Sequence, residues 1–72
     1  MASKSPFLAR MERVKRSGGQ RWRDPERDQL YEWDDLHKEV EVYDKRGSHL
    51  GAVDPVTGVF IKDAEPGRTI DV

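Results

Sequence analysis

The sequence contains no cysteine in its 72 residues. That absence excludes disulfide staples and thiolate metal sites, the usual supports of very small domains. Long apolar runs are missing as well. Stretches such as Val59-Phe60-Ile61 fall far short of the roughly 20 residues that a membrane-spanning helix needs. The N-terminus lacks the apolar block of a secretory signal, so no membrane anchor is expected in this chain and any export depends on parts outside it. Hydrophobic residues are scarce, at 35% against 38% charged, a balance that leans toward disorder. Two Trp, two Tyr and two Phe nevertheless supply enough large apolar surface for a thin core. At this length the chain makes one domain at most, burying about 60% of its unfolded surface, and a stabilising partner is expected.

The formal net charge of −1 conceals a strong asymmetry. Residues 1–27 hold eight Lys/Arg and three Asp/Glu, or +5; residues 28–72 hold five and eleven, or −6. The front of the chain suits a polyanion and the remainder does not. Residues 1–20 read as a basic arm or linker, closing on Lys15-Arg16-Ser17-Gly18-Gly19-Gln20, whose like charges and glycines disfavour packing. Within that arm, Phe7, Leu8, Met11 and Val14 follow Ser5-Pro6 at a spacing that predicts one or two helical turns.

From Arg21 the pattern changes to short β-prone runs at residues 29–33, 37–43, 48–53 and 59–62, which predict an antiparallel meander over residues 21–72. Lys45-Arg46-Gly47 reads as a hairpin loop with Gly47 at positive φ, and Asp54-Pro55-Val56-Thr57-Gly58 as a second turn. No internal repeat is read. The fold class expected is mainly β: a small antiparallel sheet with a flexible or partly helical N-terminal arm.

The run His37-Lys38-Glu39-Val40-Glu41-Val42-Tyr43 alternates strictly. As a strand it places His37, Glu39, Glu41 and Tyr43 on one face and Val40 and Val42 on the other. A three-residue loop after Asp44 sets His49 opposite Tyr43, close to Glu41, whereas a one-residue slip turns it away. Three readings of this polar face stand side by side: a solvated sheet surface, a metal site built from two His and several carboxylates, and an acid–base site. Tyr31-Glu32-Trp33-Asp34 offers aromatic surfaces for unpaired bases or simply core. Arg68 is not singled out by residue physics.

The succession Arg21-Trp22, Tyr31-Glu32-Trp33-Asp34, His37, Glu39, Glu41, Tyr43, His49-Leu50-Gly51, Asp54-Pro55, Thr57-Gly58, Pro66, Arg68 and Ile70 resembles the cytotoxic ribonuclease domain of the E-group nuclease colicins. Related bacteriocin and contact-dependent inhibition toxins carry domains of the same kind. The resemblance covers roughly fifty of the 72 residues. It implies a strongly twisted sheet and an endonuclease that cuts 16S ribosomal RNA in the decoding centre of the bacterial small subunit. It also implies a cognate immunity protein, with action in the cytoplasm of a target bacterium and storage in the producer's cytoplasm bound to that protein. The family's essential residues map onto Asp34, His37, Glu41 and Arg68, with Glu39 and His49 in support; Arg21, Trp22, Tyr31, Trp33 and Tyr43 are the expected RNA-binding set.

The chemistry suits those residue types without a cofactor or metal, because RNA carries its own nucleophile, the 2′-hydroxyl. Glu41 is the expected base, His37 the expected acid, and Arg68 the phosphate clamp; the first two roles are exchangeable on sequence grounds. The chain departs from the family's basic character in its acidic second part, in Gly67-Arg68 where the family has a Lys-Arg pair, and in the ending Asp71-Val72. Fewer phosphate contacts weaken RNA engagement. The alternatives are a non-catalytic RNA- or ribosome-binding module and, third, a protein-interaction module using the acidic sheet.

Overall fold

The computed structural model describes residues 5–16 and 18–72. A short helix, α1 (Pro6–Ala9), is followed by six strands: β1 (Glu12–Val14), β2 (Arg21–Asp24), β3 (Gln29–Asp34), β4 (Glu39–Tyr43), β5 (His49–Val53) and β6 (Phe60–Asp63). They form one sheet in the order β1-β2-β3-β4-β5-β6, each antiparallel to the next. The protein is mainly β, as its alternating runs predict. The meander begins earlier than those runs indicate. β1 and β2 are rich in charge, and α1 and β1 lie within the stretch read as an arm.

Four hairpin turns share one device. Asp24, Asp34, Asp44 and Asp54 stand ten residues apart, and in each the Oδ1 atom accepts backbone N–H groups from residues further along the turn. Such side-chain mimicry of a backbone turn is what short Asp side chains do best. Apart from the Pro that follows Asp24 and Asp54, the residues between the aspartates mostly differ from unit to unit, which hides the period in the sequence. In the β4–β5 turn Gly47 adopts φ 89°, as the hairpin loop requires.

One face of the sheet carries the core of Trp22, Tyr31, Val40, Val42 and Val53, closed by Phe7 and Leu8 of α1. Ser5 caps the helix by accepting the Leu8 N–H at 3.0 Å and donates its hydroxyl to the Pro55 carbonyl at 2.8 Å. Phe7 meets the Tyr31 ring edge-on at 5.1 Å between centroids, the geometry aromatic quadrupoles favour. The other face is polar, yet Glu39, Glu41 and Tyr43 are as buried there as Val40 and Val42 are on the core side. Two register shifts shape that face, one between β4 and β5 around Leu50 and one between β5 and β6 around Ile61. Bulges of this kind re-aim side chains.

Candidate active site

The register of β3 against β4 pairs Asp34 with Glu39 and Glu32 with Glu41, and directly paired residues share a face. Oxygens of Asp34, Glu39 and Glu41 consequently lie within 4.8 Å of one another. Three carboxylates at that spacing repel unless cations or hydrogen-bond donors attend them, and each has a partner. Lys62 Nζ stands 2.9 Å from Glu39 Oε2. That oxygen is buried without an aligned hydrogen bond, so Lys62 acts on it as a neighbouring charge. Arg68 Nη1 is 3.6 Å from Glu41 Oε1. His37 Nδ1 is 2.8 Å from Asp34 Oδ2.

His37 is not on β4. It lies in the β3–β4 turn, where Asp34 Oδ1 accepts both the Leu36 and His37 backbone N–H groups and Lys38 takes φ 55°. The strand begins at Glu39, which corrects the reading of residues 37–43 as one continuous run. The turn still delivers His37 to the polar face, with its side chain 54% exposed. Donation from the His37 ring, ahead of an opposing desolvation effect, holds the Asp34 carboxyl below the ordinary Asp range.

His49 sits opposite Tyr43, as the three-residue loop predicts. Its Nδ1 receives the backbone N–H of Glu65 at 2.9 Å, so that nitrogen carries a lone pair and the proton resides on Nε2. Nε2–H then donates to Glu41 Oε1 at 2.7 Å. The tautomer is therefore fixed by the chain itself. Glu41 Oε2 takes no hydrogen bond among the described residues and is the oxygen left for chemistry.

Arg68 arrives from the C-terminal segment, which is bound along the start of β5. The His49 N–H donates to the Arg68 carbonyl at 3.0 Å, the Ile70 N–H to the Gly47 carbonyl at 2.8 Å, and Ser48 bridges to Thr69. The guanidinium lies 6.0 Å above the Tyr43 ring. Burial disfavours its charge, but Tyr43, Glu41 and Glu65 outweigh that and raise its proton affinity. Asp34, His37, Glu39, Glu41, His49 and Arg68 are thus gathered at one place.

The expected RNA-binding residues are divided between the two faces, with Arg21 and Tyr43 on the side of Glu41. Trp22 and Tyr31 are 2% and 1% exposed on the core face, where no base can stack on them, because even positions of β2 and odd positions of β3 point away from Glu41. Tyr43 is buried between His49 and Arg68. Arg21 is buried and donates from Nε and Nη2 to Glu32 Oε2 at 3.1 and 2.9 Å. Trp33 is half-buried and its indole N–H donates to Asp35 at 3.2 Å. Sequence reasoning missed Lys62, whose placement depends on the bulge at Ile61, and the Glu65 backbone, which has no side-chain signature. The Asp34–Glu39–Glu41 set is what a hard cation would use; here Lys62, His49 and Arg68 already face it.

A family model described as Cytotoxic matches residues 8–71. Cloacin of Escherichia coli is 45% identical over 51 residues, which is 69% of this chain and 9% of cloacin. Colicin E3 of Escherichia coli is 42% identical over 60 residues, 78% of this chain and 11% of that protein. Colicin-E6 of the same organism is 41% identical over 51 residues, 69% of this chain and 9% of its own length. The chain spans about a tenth of the length of these relatives. With the match running from the core helix through the last strand to Asp71, the chain belongs to the Cytotoxic family, the toxic domain of the nuclease colicins.

Proposed function

We propose that this domain is a metal-independent endoribonuclease toxin that cuts 16S ribosomal RNA in the decoding centre. The observation that carries the reading is the convergence of Glu41, His37 and Arg68 on one sheet face, each already held by a partner. In this reading Glu41 Oε2 takes the proton of a ribose 2′-hydroxyl, and the resulting oxygen attacks the adjacent phosphorus. Arg68 stabilises the charge that develops on the phosphoryl oxygens through its planar fork. His37, bound to Asp34 through Nδ1, presents Nε2 to the departing 5′-oxygen and protonates it. The P–O5′ bond breaks as the P–O2′ bond forms, leaving a 2′,3′-cyclic phosphate and a 5′-hydroxyl. The nucleophile belongs to the substrate, so no metal-bound water is needed.

A toxin of this kind requires a cognate immunity protein in the producing cell and acts in the cytoplasm of the target bacterium, delivered by parts of a longer protein. The test is incubation of the purified domain with bacterial ribosomes in EDTA, followed by mapping of small-subunit RNA ends beside a Glu41→Ala control. One new end bearing a cyclic phosphate, absent from the control, supports the reading. Intact RNA despite binding replaces it with a non-catalytic ribosome-binding module.

A further inference from the structure

Beside the carboxylate cluster, on the β2 side, lies an open cavity of about 360 Å³ bordered by Arg16, Gln20, Arg21, Glu32, Trp33 and Ile70. That volume is at the small end of ligand sites. Its position follows from the register. Glu32 is the direct cross-strand neighbour of both Glu41 and Arg21, so the cavity abuts the catalytic carboxylate on the same face. The C-terminal segment that delivers Arg68 supplies the wall at Ile70.

The floor of this cavity is pre-set. Arg21, itself buried, donates twice to Glu32 Oε2, and Arg16 Nη1 approaches the same oxygen at 3.8 Å. Both guanidinium groups engage one carboxylate oxygen. Oε1 takes no hydrogen bond among the described residues, and the Glu32 side chain is 26% exposed. A carboxylate fixed through one oxygen offers the other as an acceptor of defined direction, at no further cost in side-chain ordering. Trp33, whose strand position turns it toward the core side, borders the cavity from its edge and adds apolar aromatic surface there.

We propose that this cavity is a subsite for one unpaired RNA nucleobase flanking the scissile phosphate, with Glu32 Oε1 accepting from an exocyclic amino group. The inference rests on the ribonuclease reading and adds selectivity to it. Adenine, cytosine and guanine carry such an amine and uracil does not; base edges of unpaired RNA are read in this way. Arg16, 28% exposed at the rim, adds positive charge where the phosphate of the same nucleotide would lie.

The test uses the Glu41→Ala chain, which binds without cutting, titrated with tetranucleotides of A, C or U while the indole N–H resonances of Trp22 and Trp33 are followed separately. The A and C tetranucleotides are expected to shift Trp33 and leave Trp22 still, with U binding about tenfold more weakly, the effect of one lost hydrogen bond to a charged acceptor. Adding Glu32→Gln, which keeps an oxygen for Arg21 but no longer offers a carboxylate to the base, is expected to abolish the discrimination while the chain still folds, melting lower because the buried Arg21 loses its charged partner. Equal binding of A and U, persistence of the preference in Glu32→Gln, or a silent Trp33 overturns the subsite. Wild-type digestion of ribosomes in parallel separates the two ideas. Cut RNA with a silent Trp33 removes the subsite alone; a selective response at Trp33 with uncut RNA removes the ribonuclease reading and leaves the subsite standing.

Discussion

His49 lies 2.7 Å from Glu41 through Nε2 while its other ring nitrogen is held by the Glu65 backbone, so in the proposed mechanism His49 acts as a positioning residue that leaves Glu41 Oε2 free. A hydrogen bond to a charged group contributes about 1.5–3 kcal/mol. His49→Ala is expected to lower kcat for ribosomal RNA cleavage by about 10- to 100-fold, with KM within about threefold. His49→Gln, which retains an N–H donor, restores part of the loss. A change in KM alone would make His49 a substrate-binding residue rather than a positioning one.

Glu41 and His37 differ in burial, and their variants should differ in stability. Glu41→Ala leaves the buried His49 Nε2–H without an acceptor, costing about 1–3 kcal/mol. Glu41→Gln preserves the acceptor and should melt close to wild type while remaining inactive. His37→Ala removes an exposed ring and should shift stability by less than about 0.5 kcal/mol, yet reduce cleavage by about 10²–10⁴-fold. Thermal melts beside end-mapping assays decide both; an active Glu41→Gln would exclude Glu41 as the base.

Asp34 and Tyr31 are among the groups that set the pH limits of the fold. Asp34 titrates lower in the folded protein than its ordinary value of 3.8 because the His37 ring donates to it. A carboxyl depressed in this way contributes stability above pH 3.8, lost as pH falls through its lower folded value. Burial, and next the charge of Asp24, push the Tyr31 phenol from 10.0 to about 12. That contribution is complete below pH 10 and disappears as pH rises through about 12. Denaturant midpoints measured across pH should therefore fall at both ends, and phenolate absorbance should show Tyr31 ionising late. An ordinary tyrosine titration would contradict the packing of Tyr31 against Phe7.

Gly58 closes the β5–β6 turn at φ 76°, and a Cβ there would stand 2.5 Å from Phe7 Cδ1. Gly58→Ala must both strain the backbone and displace α1, and should cost about 2–4 kcal/mol. Chemical denaturation measures it directly; a neutral result would mean that α1 is not docked there in solution.

Much of this was legible in the chain. The loop Lys45-Arg46-Gly47 placed His49 beside Tyr43 because its length fixes register, and the Asp54–Gly58 turn was written in Pro55 and Gly58. What escaped notice depended on neighbours that are distant in sequence or on charge that disguised pattern. β1 falls in the stretch read as a basic arm and β2 outside the named β-prone runs, because Arg21 and Arg23 hide their extended alternation until Glu32 and Glu12 are opposite them. Tyr31 and Trp22 looked available because an aromatic residue does not declare which face its strand buries. Lys62 is one of thirteen cations, and only the bulge at Ile61 gives it to Glu39.

The order of the strands has a mechanical consequence. Each strand is zipped only to its predecessor and successor in the chain, so tension applied at one end peels hairpins off singly, loading a few hydrogen bonds at a time rather than shearing a whole edge. Besides the return of the C-terminal segment to Gly47 and His49, the exception is the clasp in which Ser5 Oγ and the Phe7 N–H both hold the Pro55 carbonyl, 50 residues away for Ser5. That clasp is the latch that must open before unravelling from the front can begin. Once it has opened, the domain is soft along its own length, and its hairpins can be rebuilt turn by turn from the four aspartates, leaving the clasp and the return of the C-terminal segment as the long-range steps.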